Sequence, residues 1–160
     1  GFSNDFKWRN LALNVFFQWS YGNDIMNANR IALEGNYAGR AVNQFASYSD
    51  RWSFDNQESQ NFRAGGYGPR GYYSTRTLED GSYLRLKNVT LSYDLPKKVI
   101  RKLSLAKAQV YVSLQNLWVL TDYSGMDPEV STMHSTLTPG FDYSAYPRNK
   151  TYTFGVKIGF

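Results

Sequence analysis

Three segments of the sequence alternate between apolar and polar residues with a period of two. Residues 11–21 and 106–120 show this alternation, and so do residues 151–160. The apolar positions of the last segment are Tyr152, Phe154, Val156, Ile158 and Phe160. Successive side chains of a β-strand point to opposite faces, so each segment is predicted to be a strand with one apolar and one polar face.

Two further segments are also predicted to be strands. Residues 2–8 place Phe2, Phe6 and Trp8 on one face. Residues 83–95 change phase, because Leu84 and Leu86 alternate in one phase and the apolar residues from Val89 onward in the other. A β-bulge near residues 87–88 would explain the shift. A single odd-numbered phase, with Arg85 and Lys87 lying outside hydrocarbon, is the alternative.

The high content of aromatic residues suits a surface that contacts both water and an apolar phase. The chain has 160 residues with 13 Tyr, 10 Phe and 4 Trp, and its mean hydropathy is −0.52. No apolar run reaches the ~18 residues that a transmembrane helix needs. A membrane role would therefore require strands closed into a barrel, which leaves no backbone group unsatisfied in lipid.

The connections between the predicted strands alternate in length. Residues 9–10 and 96–105 are short connections, whereas residues 22–80 and 121–150 are long. Bacterial outer-membrane barrels have short periplasmic turns, long extracellular loops and aromatic girdles at both lipid interfaces. With the short connections on the periplasmic side, the aromatic residues fall at the strand ends. The outer set is Trp19, Tyr21, Tyr83, Trp118 and Tyr152, and the inner set is Trp8, Tyr93 and Phe160.

The first long loop is predicted to contain helix. Asn23 can cap a helix over residues 24–34 that ends at Gly35, and residues 38–48 are predicted to form a second helix. The glycine-rich residues 63–71 are predicted to be irregular loop. Five strands cannot close a barrel, since the smallest barrels have about eight, so the chain is expected to be part of a larger barrel.

No pattern predicts a catalytic, cofactor or metal site. The chain has no cysteine, and its single histidine, His134, has no nucleophile elbow nearby. A cation site formed by Asp122, Asp127 and Glu129 matches no calcium-loop spacing, and Asp127-Pro128 favours a turn.

A basic cluster is interpreted as a solvated turn, and no nucleic-acid-binding fold accompanies it. The cluster consists of Lys97, Lys98, Arg101, Lys102 and Lys107.

Three stretches resemble the SusC/RagA-type TonB-dependent outer-membrane transporters. They are LEDGSYLRLKNVTLSYDLPKKV at 78–99, AQVYVSLQNLWVLTDYSGMDPEV at 108–130 and YPRNKTYTFGVKIGF at 146–160. Residues 14–30 fit the strand and loop that precede these stretches in the family. The resemblance implies an all-β fold, an antiparallel segment of a transmembrane barrel of about 22 strands. Residues 1–160 would supply about the last five strands, with long extracellular loops containing short helices.

The resemblance also implies partners and a location. The chain would belong to an importer of glycan or peptide fragments in the outer membrane of a Gram-negative bacterium, acting with a SusD-like lipoprotein. The plug, the earlier strands and the segment that contacts TonB would lie in the rest of that transporter. Outer-membrane lipid and the barrel-assembly machinery are further expected partners. The assembly machinery would recognise the terminal residues Tyr152, Phe154, Val156, Ile158 and Phe160.

Aromatic residues of the two long loops are the candidate contacts with ligand or with the lid lipoprotein. They are Trp52, Tyr67, Tyr72, Tyr73, Phe141 and Tyr143. The alternative is that these rings pack the loops together or onto the lid lipoprotein.

A different class of protein, a soluble all-β carbohydrate-binding module, is the alternative function. Such a module would bury its apolar strand faces against a second sheet. No pattern supports an enzyme.

Overall fold

A computed structural model of the chain describes residues 1–34, 43–64, 74–132 and 139–160. The chain forms two compact units. The first, the sheet unit, comprises Gly1–Tyr21, Ser82–Asp122 and Arg148–Phe160. The second, the loop unit, comprises Gly22–Gly81 and Tyr123–Pro147. The loop unit is therefore made of the two long connections that the sequence predicts.

Strands dominate the described part of the chain. In chain order the elements are β1 (Phe2–Trp8), β2 (Leu11–Ser20), β3 (Asp24–Asn27), α1 (Ala28–Leu33), a 3₁₀ turn (Ala46–Ser49), β4 (Leu78–Asp80), β5 (Tyr83–Asp94), α2 (Lys97–Lys102), β6 (Lys107–Thr121), β7 (Phe141–Asp142) and β8 (Thr151–Gly159). Among the described residues, no helix is long and apolar enough to cross a membrane.

The sheet unit is one antiparallel sheet in the order β1-β2-β5-β6-β8. The five predicted strands are thus confirmed within a residue or two at their ends. Residues paired across neighbouring strands share a face, so the register aligns apolar side chains in rows. Two of these rows are Leu11–Tyr93–Val110–Val156 and Leu13–Leu91–Val112–Phe154. The opposite face carries rows of polar residues such as Asn14–Thr90–Ser113–Thr153.

The predicted bulge in β5 is confirmed. Opposite β2, the pairing passes from Phe16 with Asn88 to Phe17 with Leu86, so Lys87 is the extra residue. Opposite β6, Leu86 pairs with Trp118 and Asn88 pairs with Gln115. The extra residue puts Leu86 and Val89 on the same face despite their odd spacing, and this excludes the single-phase alternative.

The short connections are compact in different ways. Between β1 and β2, Arg9 adopts a left-handed backbone with φ of 53°. Between β5 and β6, helix α2 fills what the sequence suggests is a plain turn, and Pro96 directly precedes it. The Asn10 amide donates a hydrogen bond of 2.9 Å to the Asp94 carbonyl oxygen. The two connections therefore lie side by side at one end of the sheet.

A glycine in β8 makes room for an aromatic ring on the polar face. Gly155 pairs with Tyr111, and a Cβ on Gly155 would overlap that ring. Gly159 pairs with Lys107, and its added Cβ would lie 3.6 Å from the Lys107 Cβ, an ordinary contact. The Tyr111 ring thus covers the bare backbone of Gly155, a known way of supporting glycine in a strand.

We expect Gly155→Ala to destabilise the full transporter by about 1–3 kcal/mol, the usual cost of forcing a neighbour from its packed position. Gly159→Ala in the same strand is the matched control and should change stability much less. Thermal unfolding of both variants in detergent measures the difference. Equal melting temperatures for the two variants would contradict the packing of Tyr111 on Gly155.

The loop unit is organised by a small sheet in the order β4-β3-β7. Strand β3 pairs antiparallel with β4 and parallel with β7. Its core consists of Ile25, which is fully buried, with Tyr123 and Val130, and Ala145 packs against them. The core is small, so polar contacts contribute much of what holds this unit together.

The prediction of a helix over residues 24–34 is wrong in its first third. Residues 24–27 form β3, and α1 begins only at Ala28. Asn23 does not cap the helix, because its amide donates to the Gly81 carbonyl oxygen at 3.2 Å. Pairing with β4 and β7 buries Ile25 completely, and this tertiary gain overrides the local helical pattern.

The second predicted helix, over residues 38–48, is wrong in its described part except for a single turn. Residues 43–45 are not helical, and only Ala46–Ser49 forms a single 3₁₀ turn. Gly35 and residues 38–42 lie outside the described residues, as does the glycine-rich part of the loop from residue 65 to residue 73.

Candidate functional surfaces

The polar face of the sheet unit carries a network of side-chain hydrogen bonds. The Asn14 amide donates to Asp5 at 2.8 Å, and the Asn88 amide donates to Asn14 at 3.2 Å. The Thr90 hydroxyl donates to Ser113 at 3.1 Å, and Ser113 donates to Asn88 at 3.3 Å. The network spans β1, β2, β5 and β6. A hydrogen-bonded polar face of this kind suits contact with water or polar protein.

The apolar face of the same sheet is exposed. Exposed fractions are 78% for Phe154, 62% for Val156 and 60% for Leu120. Val110 and Trp118 are also exposed. Water-soluble monomers rarely expose a large contiguous apolar patch, so this face marks a contact with another apolar phase. The five residues of the predicted assembly signal, from Tyr152 to Phe160, are all exposed.

Glu79 is the centre of a polar cluster in the loop unit, and β4 positions it. One carboxylate oxygen accepts hydrogen bonds from the Asn27 amide at 3.1 Å, the Ser124 hydroxyl at 2.9 Å and the Arg30 guanidinium at 3.2 Å. The other oxygen accepts from the Ser124 backbone N–H at 2.9 Å. Burial by itself raises the pKa of Glu79, but hydrogen bonds from Ser124, Asn27 and Arg30 outweigh it. The pKa therefore lies below its ordinary value.

Two arginines extend this cluster to helix α1. Arg30 forms an ion pair with Glu34 at 2.9 Å, and Arg76 approaches the same carboxylate at 3.5 Å. Burial lowers the pKa of Arg30, but the carboxylates of Glu34 and Glu79 more than compensate and raise it above its ordinary value. Carboxylates and arginines thus connect β4, α1 and the segment before β4.

A buried tyrosine, Tyr123, is hydrogen-bonded to Asp142 within the Tyr123–Pro147 segment of the loop unit. The Tyr123 hydroxyl donates a 2.6 Å hydrogen bond to the Asp142 carboxylate, and both residues are buried. Burial, the hydrogen bond to Asp142 and the nearby negative charges all raise the pKa of Tyr123. The phenol therefore stays neutral and keeps donating at physiological pH.

Trp52 lies in a compact loop that polar side chains hold together. The Asn56 amide donates to Asp50 at 2.7 Å, and the Ser59 hydroxyl donates to the Asp50 carbonyl oxygen at 2.7 Å. Arg76 donates to Asn61 at 2.7 Å and so joins the loop to the residues before β4. The Trp52 ring packs edge-to-face on Phe54 at 5.6 Å, and Phe54 is 80% exposed.

Phe141 and Tyr143 lie on and just after β7. The Phe141 carbonyl oxygen accepts hydrogen bonds from the Thr132 backbone N–H at 3.0 Å and from its hydroxyl at 2.8 Å. The Tyr143 N–H donates to the Thr132 hydroxyl at 2.9 Å, and the Tyr143 side chain is 47% exposed. The ring of Trp52 contacts Phe54 rather than these two residues. Tyr67, Tyr72 and Tyr73 lie outside the described residues.

Asp127 and Glu129 lie in an irregular, bent segment of the loop unit. Asp127 is buried and accepts a 2.9 Å hydrogen bond from the Glu129 backbone N–H. Within the described ranges, no three acidic or histidine side chains are grouped as metal ligands would be. His134 lies outside these ranges.

No sequence pattern singles out Glu79, Tyr123 or Asp142 as a functional or structural centre. Each lies in a stretch without periodic pattern, and the partners of Glu79 are as far away as Ser124 in the sequence. The only local signal is that Glu79 is a charged residue shortly before the predicted strand at residues 83–95. Many loops contain such a residue, so this signal is not specific. Long-range pairing of this kind has no signature in a single sequence.

Two named relatives match the chain along its whole length, and a third matches part of it. TonB-dependent receptor P3 of Formosa agariphila is 36% identical over 165 residues, which cover 100% of this chain and 16% of the relative. TonB-dependent receptor P26 of the same organism is 31% identical with the same coverage. TonB-dependent receptor SusC of Bacteroides thetaiotaomicron is 29% identical over 68% of this chain and 10% of its own length. The chain therefore spans a small part of these relatives. No family model matches it.

Solved structures agree with these relatives. The RagAB peptide transporter matches with a TM-score of 0.81 and 28% identity, over 96% of this chain and 16% of that chain. The RagAB peptide importer in its closed-closed state matches with a TM-score of 0.80 and 28% identity, over 99% of this chain and 17% of that chain. These proteins are named as receptors and transporters rather than enzymes. Those names confirm the prediction of a non-enzymatic chain.

Proposed function

We propose that the chain, which belongs to the SusC/RagA-type TonB-dependent transporters, forms part of the barrel wall and of the outer vestibule of an importer. This importer would lie in the outer membrane of a Gram-negative bacterium. The observation that carries the proposal is the two-faced sheet. One face exposes Phe154, Val156 and Val110, and the other carries a hydrogen-bonded polar network. The apolar face would contact lipid, and the polar face would contact the lumen or the plug.

Closure into a barrel follows from the edges of the sheet. Strands β1 and β8 each have one neighbour within the described residues. An unpaired strand edge in hydrocarbon costs several kcal/mol per lost hydrogen bond, on the order of the penalty for any buried unsatisfied amide. Other strands would therefore continue the sheet on both sides, to about 22 strands in this family. We place residues 1–160 in the C-terminal part of that barrel, because residues 146–160 resemble the family's terminal strand.

The partners follow from the same family. A SusD-like lipoprotein would act as a lid over the extracellular loops. TonB would act through the plug, which belongs to the rest of the transporter. The barrel-assembly machinery would recognise the exposed aromatic and aliphatic residues from Tyr152 to Phe160.

Transport would proceed by capture and release without a chemical reaction. Loops of the loop unit would hold a glycan or peptide fragment beneath the lid, and displacement of the plug would let it pass. Exposed rings suit this role because they stack on sugar faces and pack on peptide side chains. Of the described candidates, Tyr143 is exposed, whereas Trp52 and Phe141 are half-buried. Tyr67, Tyr72 and Tyr73 lie outside the described residues. The exposed apolar sheet face argues against the soluble carbohydrate-binding module.

Uptake by cells tests this function. A strain that lacks the full transporter should lose uptake of labelled oligosaccharides or labelled oligopeptides, and restoring the gene should rescue it. Tyr143→Ala should lower uptake at limiting substrate about tenfold, which corresponds to a lost contact of about 1.4 kcal/mol.

Tyr21→Ala provides the matched control, because Tyr21 is a 91% exposed tyrosine of the sheet unit and not of the loops. Both variants should reach the outer membrane in normal amounts. Normal uptake of both substrate classes by the deletion strain would disprove the proposed function. Equal uptake by the two variants would show that Tyr143 does not contact the ligand.

A further inference from the structure

Four of the five residues of the basic cluster predicted as a solvated turn form one face of helix α2. At about 100° per residue, Lys97, Lys98, Arg101 and Lys102 occupy one side of the helix. Val99, Ile100 and Leu103 occupy the other side. Val99 is 40% exposed and Leu103 is 57% exposed. A short basic and apolar element of this kind is typical of segments that lie in a membrane interface.

The charges of α2 have no acidic partner within the helix. Lys97 and Arg101, like Lys98 and Lys102, are like charges four residues apart, which destabilises an isolated helix. The first turn carries no acidic residue to complement the helix dipole. Among the described residues, no ion pair involves any of these four cations. The nearest acidic residue in the sequence, Asp94, accepts a 2.9 Å hydrogen bond from Gln109.

Further basic residues adjoin α2 at the same end of the sheet. Lys107 begins β6 and is exposed, and it lies on the polar face of the sheet. The turn at Asn10 is hydrogen-bonded to Asp94, so Arg9 lies beside this end, with its guanidinium 5.0 Å from the centre of the exposed Trp8 ring. An arginine next to an interfacial tryptophan is an arrangement that suits the headgroup level of a bilayer.

We propose that α2, with Arg9, is a binding surface for the headgroups of anionic phospholipids in the periplasmic leaflet. The proposal rests on the proposed function, because the short connections lie on the periplasmic side of an outer-membrane barrel. The apolar residues Val99 and Leu103 would enter the acyl boundary, and the cations would bind phosphate groups. Anionic headgroups would also relieve the repulsion between the like charges of the helix.

Lipid analysis around the full transporter tests this surface. The transporter is reconstituted in vesicles of phosphatidylethanolamine with a minor share of phosphatidylglycerol, extracted in polymer-bounded discs, and its lipids are quantified by mass spectrometry. We expect the K97Q/K98Q/R101Q/K102Q variant to retain about threefold less phosphatidylglycerol than the wild type. The charge-retaining K97R/K98R/R101K/K102R variant should match the wild type.

Salt provides a second measurement that needs no variant. Raising NaCl in the vesicle buffer should lower the phosphatidylglycerol share of the wild-type discs, because exposed charges are screened. Equal phosphatidylglycerol shares in the wild type and the glutamine variant would overturn the inference and leave the proposed function intact. A wild-type transporter that does not float with the vesicles would overturn both.

Discussion

Replacing Phe154 with arginine is expected to destabilise the assembled transporter by about 2–4 kcal/mol, the cost of a cation near the middle of the lipid face of a barrel. Phe154 is 78% exposed, lies near the middle of β8 and belongs to the row Leu13–Leu91–Val112–Phe154. In water, the same change at so exposed a position would cost little, since surface substitutions usually stay within about 0.5 kcal/mol. The substitution therefore separates a lipid-facing sheet from a solvated one.

Thr153→Arg is the matched control for this experiment. Thr153 is the neighbouring residue of β8, is also exposed, and pairs with Ser113 on the polar face. A guanidinium there would meet the polar network instead of hydrocarbon. Urea unfolding of the full transporter in lipid vesicles gives the free energy of unfolding of each variant. A loss at Thr153 as large as the loss at Phe154 would contradict the assignment of the two faces.

Replacing Glu79 with glutamine is expected to destabilise the loop unit by about 1.5–3 kcal/mol, the contribution of hydrogen bonds to a charged acceptor. The carboxylate accepts four hydrogen bonds from Asn27, Arg30 and Ser124, and its side chain is only 13% exposed. A glutamine amide would direct N–H donors at groups that are themselves donors. Faster hydrogen exchange of the amides in β3 and β4 of the full transporter is the measurement.

The pH dependence of the loop unit follows from the same carboxylate. The folded pKa of Glu79 lies below its ordinary value of 4.5, so its contribution is fully present above that value. That contribution is lost as the pH falls through the folded pKa. We expect exchange in β3 and β4 to accelerate in wild type as the pH is lowered below about 4.5, beyond the intrinsic effect of pH on exchange. Glu79→Gln should remove this acceleration.

Glu58→Gln is the control, because Glu58 is an exposed glutamate of the same unit. It should leave both the exchange rates and their pH dependence unchanged. If Glu79→Gln exchanged no faster than Glu58→Gln, the polar cluster would not be what holds β4 to the rest of the loop unit.

Local pattern was sufficient for the sheet unit because each strand there has one apolar and one polar face. The period of two alone located all five strands. The phase change after Leu86 indicated a bulge near residues 87–88, but only the strand pairing excluded the single-phase alternative. Alternation survives in a single sequence because the environment on each side of the sheet selects every second residue independently. Similarly, the exposed and aromatic residues of β8 could be identified before the structure was known.

Local pattern failed in the loop unit, where distant segments decide the conformation. The helical pattern of residues 24–34 yielded to β3 because β4 and β7, far away in the sequence, enclose Ile25. The same distance hid the Glu79 cluster and the bond between Tyr123 and Asp142. The basic residues of 97–102 were visible in the sequence, but their arrangement on one side of a helix was not.

The sequence by itself thus determined the two-faced sheet, its register shift and, through its resemblance to a family, its kinship with outer-membrane importers. Only the tertiary structure decided how the long loops fold, which carboxylate holds them, and where the cations of α2 lie. The physical reason is the range of the interactions. Strand alternation is set residue by residue by the apolar or polar surroundings of each sheet face. A small buried core and its hydrogen bonds, by contrast, exist only once distant segments meet.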